Sequence, residues 1–276
     1  MLKFLRFIFR FLLGIGLCFI ILAIALNIFT TPSNDRLWNT DQLVLAETQF
    51  IGDLVTIRNI RNFTYKSPTD YEAKYYDKTF DLKKIKKVYY VVEPFSGYPG
   101  AAHTFLSFEF EGNQFVSISV EIRKEVGETY SATQGLFNQY ELMYVIADER
   151  DVIGLRANHR KDEVFVYPMK ADKEKTRALF VDMLERANKL STKPEFYNTI
   201  LNTCTTNIVD HVNKISEKRI PFSLEILFPK NSDQKAYNLG LIDTELPFEE
   251  ARKKFKVNER AEKYKNNLDF SVRIRN

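Results

Sequence analysis

Ala102-His103-Thr104-Phe105-Leu106-Ser107-Phe108-Glu109-Phe110, then Glu111-Gly112-Asn113, then Gln114-Phe115-Val116-Ser117-Ile118-Ser119-Val120-Glu121-Ile122-Arg123 is the most regularly patterned stretch of the chain. In its first limb Thr104, Leu106, Phe108 and Phe110 form a mostly apolar face, while His103, Ser107 and Glu109 share the other face with Phe105. In its second limb Val116, Ile118, Val120 and Ile122 alternate with Ser117, Ser119 and Glu121. Alternation with period two marks half-buried strands. A three-residue turn at Glu111-Gly112-Asn113 lines up the two apolar faces and sets Glu121 across from His103. A two-residue turn would oppose apolar to polar, so the three-residue register is expected.

Working outward, Leu54–Ile60, Lys87–Glu93, Tyr140–Ala147 and Glu163–Tyr167 read as further strands, the second stopped by Pro94. The stretch from Tyr65 to Phe80, rich in Tyr and charge, reads as a loop. Asp172–Leu190 carries Leu179, Phe180, Met183, Leu184, Ala187 and Leu190 on one helical stripe. Cys204–Ile215 is a second helix, with Ile208, Val212 and Ile215 on its buried side. Pro247 opens a charged helix reaching about Tyr264. The fold class is α+β with an antiparallel sheet core.

Ahead of this domain, Lys3, Arg6 and Arg10 precede an uncharged apolar run from Phe11 to Phe29. A helix of that length covers roughly 28 Å, close to the hydrocarbon core of a bilayer. The basic flank puts the N-terminus in the cytoplasm and exports the rest. Ala23-Ile24-Ala25 resembles a cleavage site, so a cleaved signal peptide is the alternative. Leu17 before Cys18 is too large for a lipobox. The expected organisation is a transmembrane anchor over 1–30, a polar linker over 31–41 and an exported catalytic domain over 42–276.

Forty Lys and Arg against 36 Asp and Glu give a net charge of only +4, and the signs are mixed along the chain. No basic block suggests nucleic acid. There is no Gly-x-Ser-x-Gly elbow, no phosphate-binding glycine loop and no paired metal-ligand spacing, so no cofactor or metal is expected. With Cys18 inside the anchor, Cys204 is the lone exported thiol, in a compartment that usually pairs thiols or eliminates them. It is an inert buried residue or a reactive one.

Asn202 or Thr203 is a natural N-cap for the helix that begins at Cys204. A thiolate there meets the positive end of the helix dipole and free N–H groups, which can also hold an oxyanion. Such a nucleophile needs a base. His211 lies two turns along the same helix, and His159 sits among Arg156, Arg160 and Lys161 as a surface residue. His103, with Glu121 placed to orient it, is the remaining candidate. The expected catalytic set is Cys204, His103 and Glu121. Arg61, Arg123 and Arg150 suit phosphate, but structural ion pairs with Glu121, Glu125, Glu141 or Glu149 are the preferred reading of each, and none is taken as a lipid site.

A strand-borne His ahead of a helix-N-terminal Cys resembles the circularly permuted papain-like (NlpC-type) enzymes, with Asn202-Thr203-Cys204 a loose form of their Asn-Cys motif. Asn59-Ile60-Arg61-Asn62-Phe63, Ala102 to Phe108, Ser119 to Glu125, Asp148-Glu149-Arg150-Asp151, Phe196-Tyr197-Asn198-Thr199 and Cys204-Thr205-Thr206-Asn207 resemble the Lnb N-terminal periplasmic domain family. The resemblance covers most of the chain from about Trp38 onward. It implies an inner-membrane protein with a periplasmic domain, and a lipoprotein N-acyltransferase activity. Cys204 would take an acyl chain from a membrane phospholipid as a thioester and pass it to a lipoprotein or peptide amine. A papain-like peptidase or amidase acting on cell-wall peptide is a competing reading, favoured by an open polar groove. A non-enzymatic envelope domain is another, favoured by separation of Cys204 from His103.

Overall fold

The computed structural model describes residues 2–276, apart from the side chains at 2, 20, 22–24 and 26–29. Helix α1 (Leu2–Phe29) comes first, followed by strands β1 (Glu47–Ile51), β2 (Leu54–Arg61), β3 (Thr64–Tyr65), β4 (Tyr71–Glu72), β5 (Tyr75–Asp81), β6 (Ile85–Pro94), β7 (Ala102–Phe110), β8 (Gln114–Arg123) and β9 (Glu141–Ala147). Then come α2 (Glu149–Gly154), which runs on into a π-helical turn over Leu155–Arg160, β10 (Phe165–Pro168), α3 (Lys173–Thr192), α4 (Cys204–Ile215), α5 (Leu224–Leu227), α6 (Ser232–Asn238), α7 (Phe248–Phe255), α8 (Asn258–Lys263) and α9 (Phe270–Arg273).

The sheet runs β1-β2-β9-β8-β7-β6-β10, with β5 also on β2. All pairs are antiparallel except a short parallel contact of β2 with β9 at Arg61 and Ala147. The β7–β8 hairpin has the expected register, with Leu106 opposite Ile118 and Phe110 opposite Gln114. Its three-residue turn places Gly112 and Asn113 at positive φ, 75° and 57°, which glycine and asparagine accept at least cost.

Helices cover both faces of the sheet. The even-numbered side chains of β7, including Leu106, Phe108 and Phe110, pack with Leu179, Phe180 and Met183 of α3 and with Cys204 and Ile208 of α4. The odd face, with Phe105, joins Val152 and Ile153 of α2, Ala261 of α8 and Phe270 of α9. The strands are therefore buried twice over, not half-buried. The polar residues of the odd face are kept there by partners: Ser107 donates to Glu149, and Tyr89 donates to Glu109 at 2.7 Å. Burying a polar group without such a partner would cost on the order of 1–3 kcal/mol.

Three expectations need correction. The stretch from Tyr65 to Phe80 is not a loop: it carries β3, β4 and most of β5, whose Thr79 faces Thr56 of β2. The C-terminal helix divides into α7 and α8, because Lys256 bridges to Phe165 and Val257 donates its N–H to Val164 O at 2.9 Å, interrupting the helical ladder. The segment 31–41 is fastened to the domain: Trp38 is buried under the Arg123 guanidinium, Asn34 donates to Leu190 O and Ser191 O, and Arg36 pairs with Glu125 and Glu141.

The described side chains of α1 between 3 and 19 are exposed, and the Phe19 ring lies 5.7 Å from that of Phe137. Among the described residues no helix is long and apolar enough to cross a membrane. Much of the expected anchor, at 20, 22–24 and 26–29, falls on side chains outside those described.

A bulge in β2 between Ile57 and Ile60, with Asn59 at φ 60°, turns the end of the strand toward α2. There the Arg61 guanidinium meets Asp151 through two bonds, of 3.0 and 2.8 Å, and Asp151 also accepts from Phe63 N and Tyr65 OH. Replacing Asp151 by Ala leaves a buried cation unpaired, and a loss of about 3–5 kcal/mol is expected. Urea unfolding of the variant checks this; a loss below about 1 kcal/mol would show that Arg61 finds another partner.

Candidate functional site around Cys204

Cys204 is the first residue of α4. Thr203 caps the helix, its hydroxyl accepting from Thr206 N–H, while the Thr206 hydroxyl accepts from Thr203 N–H at 2.7 Å. The first helical bond runs from Asn207 N–H to Thr203 O, so the N–H groups of Cys204 and Thr205 precede the ladder and point out of the helix end beside the thiol. The thiol itself is mostly buried and unpaired.

Its neighbours are hydroxyls rather than a histidine. Sγ lies 3.7 Å from Thr205 Oγ1, which is 3.0 Å from Thr104 Oγ1. Three phenols lie within electrostatic reach of Cys204: Tyr90 of β6, Tyr130 in the loop after β8, and Tyr197. Burial pushes Tyr90 and Tyr197 up; at Tyr90 the hydrogen bond with Ser232 works the other way, and the nearness of Cys204 adds to the rise of both. Tyr130 is also raised, by burial, and it shares a hydrogen bond with Tyr197. All three stay protonated across the physiological range, and Tyr90 donates its proton to Ser232 Oγ at 2.8 Å. The even face of the sheet gives Tyr90 and Thr104 their direction; Tyr130 and Tyr197 come from loops and carry no periodic signal.

Behind the thiol, Asn207 ties the cap to the sheet. Its amide N–H groups donate to Asn202 Oδ1 and Thr203 O, both at 2.8 Å, and its carbonyl accepts from Tyr144 OH at 3.1 Å. The Tyr144 oxygen lies 2.7 Å from His211 Nε2, and the other ring nitrogen bonds Asp182. His211 is thus fully occupied away from Cys204. Burial lowers it and Asp182 works the other way. Asp182, His211, Asn202 and Asn207 border an open polar cavity of about 570 Å³ between α3 and α4, whose lining also includes Arg186 and Asp210 but not Cys204.

His103 and Glu121 come together, but not with Cys204. Alternation along β7 sends Thr104 to the α4 face and His103 to the opposite one, where its ring stacks on Phe105. His103 Nε2 is 2.7 Å from Ser119 Oγ, which donates to Glu121 Oε1 at 2.8 Å, and the imidazole is 3.7 Å from that carboxylate. Arg156 completes the group, donating to Glu121 at 3.0 Å and to Glu93 at 2.6 Å. Arg156, expected in a surface loop, is a buried centre of this network, because its helical turn folds back over β6 and β8. The expected alignment of Cys204 with His103 is corrected accordingly: the sheet lies between them.

The three arginines considered for phosphate are engaged. Arg61 holds Asp151, Arg150 pairs with Asp148 at 3.4 Å, and Arg123 donates to Gln42 O and Leu43 O. His159 packs its ring against Tyr65. Among the described residues no group of three or more His, Cys, Asp or Glu is placed to hold a metal ion.

The family model of the Lnb N-terminal periplasmic domain matches residues 71–230. The chain belongs to that family, and the matched stretch holds Cys204, the phenols around it and the His103 network. The family's name places the domain in the periplasm and ties its function to the cell envelope. No curated protein and no solved structure matches the chain.

Burial, with the Arg156 charge, pushes the His103 imidazole from 6.5 down to about 3, so the folded protein holds it neutral. Unfolding between those values takes up a proton, and stability therefore falls as the pH drops below 6.5. Glu121 is desolvated, yet Arg156 beside it keeps it ionised below its ordinary 4.5, which removes further stability at lower pH in the same direction. Between pH 6.5 and 4.5 His103 contributes a slope approaching about 1.4 kcal/mol per pH unit, added to by His211 and His159, which burial also lowers. His103→Gln should flatten that slope in urea titrations; an unchanged slope would mean that His103 is protonated in the fold.

Proposed function

We propose that this Lnb N-terminal periplasmic domain is a cysteine-dependent acyltransferase of the bacterial envelope. It takes an acyl chain from membrane phospholipid onto Cys204 and passes it to a lipoprotein amine. In this reading α1 is a single-pass inner-membrane anchor with its basic N-terminus in the cytoplasm, and the sheet with α4 is a permuted papain-like core. The observation that carries the proposal is the placement of Cys204 at the opening of α4, with free N–H groups beside it and three protonated phenols around it.

The chemistry follows from those groups. The thiolate attacks the ester carbonyl, and the Cys204 and Thr205 N–H groups take the developing oxyanion. On collapse the C–O bond breaks, the C–S bond remains, and the Tyr130–Tyr197 pair supplies a proton to the departing alkoxide. An amine then attacks the thioester, the C–S bond breaks, and the proton shed by nitrogen returns to the phenolate. Tyr90 and Thr104 position the thiol from the sheet side.

A second reading has an observation of its own. The separation of Cys204 from His103 favours a non-enzymatic envelope domain in which the thiol is a buried structural residue. The polar cavity along α3 and α4 would suit a peptide, but Cys204 does not line it, and this weighs against the peptidase reading.

Intact mass after incubation of the detergent-purified protein with phospholipid distinguishes these readings. A fatty-acyl adduct that disappears in Cys204→Ala and persists in His103→Gln is expected. Tyr130→Phe with Tyr197→Phe should slow its formation on the order of 100-fold, the lower range for loss of a general acid. An unmodified, alkylation-resistant Cys204 would sink the enzyme reading. An adduct lost in His103→Gln, with the fold intact, would restore the histidine to the mechanism.

A further inference from the structure

Around the thiol the loops carry large apolar side chains that the core does not use. Tyr98, Tyr130, Leu201, Phe222, Leu224 and Phe228 are between 43% and 75% exposed. Backbone bonds join several of their segments: Phe228 N–H bonds Leu224 O at 2.7 Å. Lys230 N–H bonds Gly100 O at 3.1 Å, and the Phe228 side chain packs beside Gly100, bringing the Phe228 segment onto the Tyr98 loop. Leu201 sits three residues before Cys204, in a turn whose N–H groups are held by the Asn198 side chain.

Soluble surfaces scatter apolar side chains singly; a contiguous patch marks an interaction face. Continuity identifies the partner. Thr199 N–H bonds Gly135 O at 3.2 Å and its hydroxyl bonds Ala132 O at 2.7 Å, so the Leu201 loop rests on the segment that ends in Phe137. Phe137 carries the ring of Phe19 from α1. The rim and the exposed apolar surface of α1 therefore form one surface. Tyrosines at its margin and the cations Lys218, Arg219 and Lys230 in its loops are the side chains that settle at the headgroup level of an anionic bilayer.

We infer that these loops form a membrane-contacting rim that seats the mouth of the Cys204 site on the bilayer surface. The inference rests on the reading of α1 as an anchor, and it deepens the proposed reaction by placing the thiol at the lipid surface without a diffusing substrate.

Tryptophan quenching tests it in the full chain. The native Trp38 is buried beneath Arg123 and gives a constant background. Leu201→Trp, Phe228→Trp, Phe19→Trp and, as a control at the other end of α3, Ile51→Trp are each reconstituted into phosphatidylethanolamine–phosphatidylglycerol vesicles with plain or brominated acyl chains. Loss of emission in brominated vesicles at Leu201→Trp and Phe228→Trp, with none at Ile51→Trp, is expected. Quenching at Phe19→Trp alone would overturn the rim while leaving the anchor standing. Quenching at the rim alone would support the rim and reject the anchor, and none at any position would reject both.

Discussion

The double covering of the sheet is the constraint on which the candidate site depends. A strand sends consecutive side chains to opposite faces, and in β7 both faces are packed, so each residue is committed to one of two separate interiors. Thr104 belongs to the α4 side and meets Thr205. His103 belongs to the α2 side and meets Ser119, Glu121 and, through them, Arg156. No rotamer change carries an imidazole through a packed sheet. The polar group on the α2 side is thus a matched buried network, in which Arg156 answers both Glu93 and Glu121. Such a network specifies how the helical turn over Leu155–Arg160 docks, since removing one member leaves the others desolvated and unpaired.

With the histidine on the far side, a thiol at the start of α4 depends on what its own face supplies: N–H groups at the helix opening, threonine hydroxyls and protonated phenols. Each of these stabilises negative charge, and none is a strong base. The reaction proposed for this site therefore draws on hydrogen-bond donors around the thiol and not on a neighbouring imidazole. The cap is held firmly. Thr203 and Thr206 bond reciprocally, and Asn207 pins the preceding loop to Tyr144 and, through it, to His211 and Asp182. His211, too distant in sequence to serve the thiol, instead braces the helix that carries it.

Much of the fold was legible because period-two and helical patterns report burial directly. The β7–β8 register, α3 and α4 were readable from apolar spacing, and the cap from Thr203. The β5 strand was hidden by its tyrosines and charges, which suit the edge position it takes on β2. The site was harder to read. Alternation already put His103 opposite the apolar face of β7, but Glu121 across the hairpin suggested an orienting pair, and the second helical layer that buries that face left no periodic trace. Arg156 looked like a surface residue among Arg160 and Lys161 until its helical turn closed over the sheet. The phenols from loops are invisible to any pattern, since only the closed fold brings Tyr130 and Tyr197 to Cys204.

The fastened segment from 31 to 41 links these layers to the envelope. A flexible linker would let the domain turn freely on α1. Here Ser33 and Arg36 hold Glu141 at the start of β9, Asn34 holds the end of α3, and Trp38 is clamped by Arg123. These contacts lie on β8, β9 and α3, which also pack against or bond α4, so the direction in which α1 leaves the domain is set by the same frame that sets the opening of α4. Fixing one direction fixes the other, and the conformational entropy of aligning α1 with α4 is met during folding.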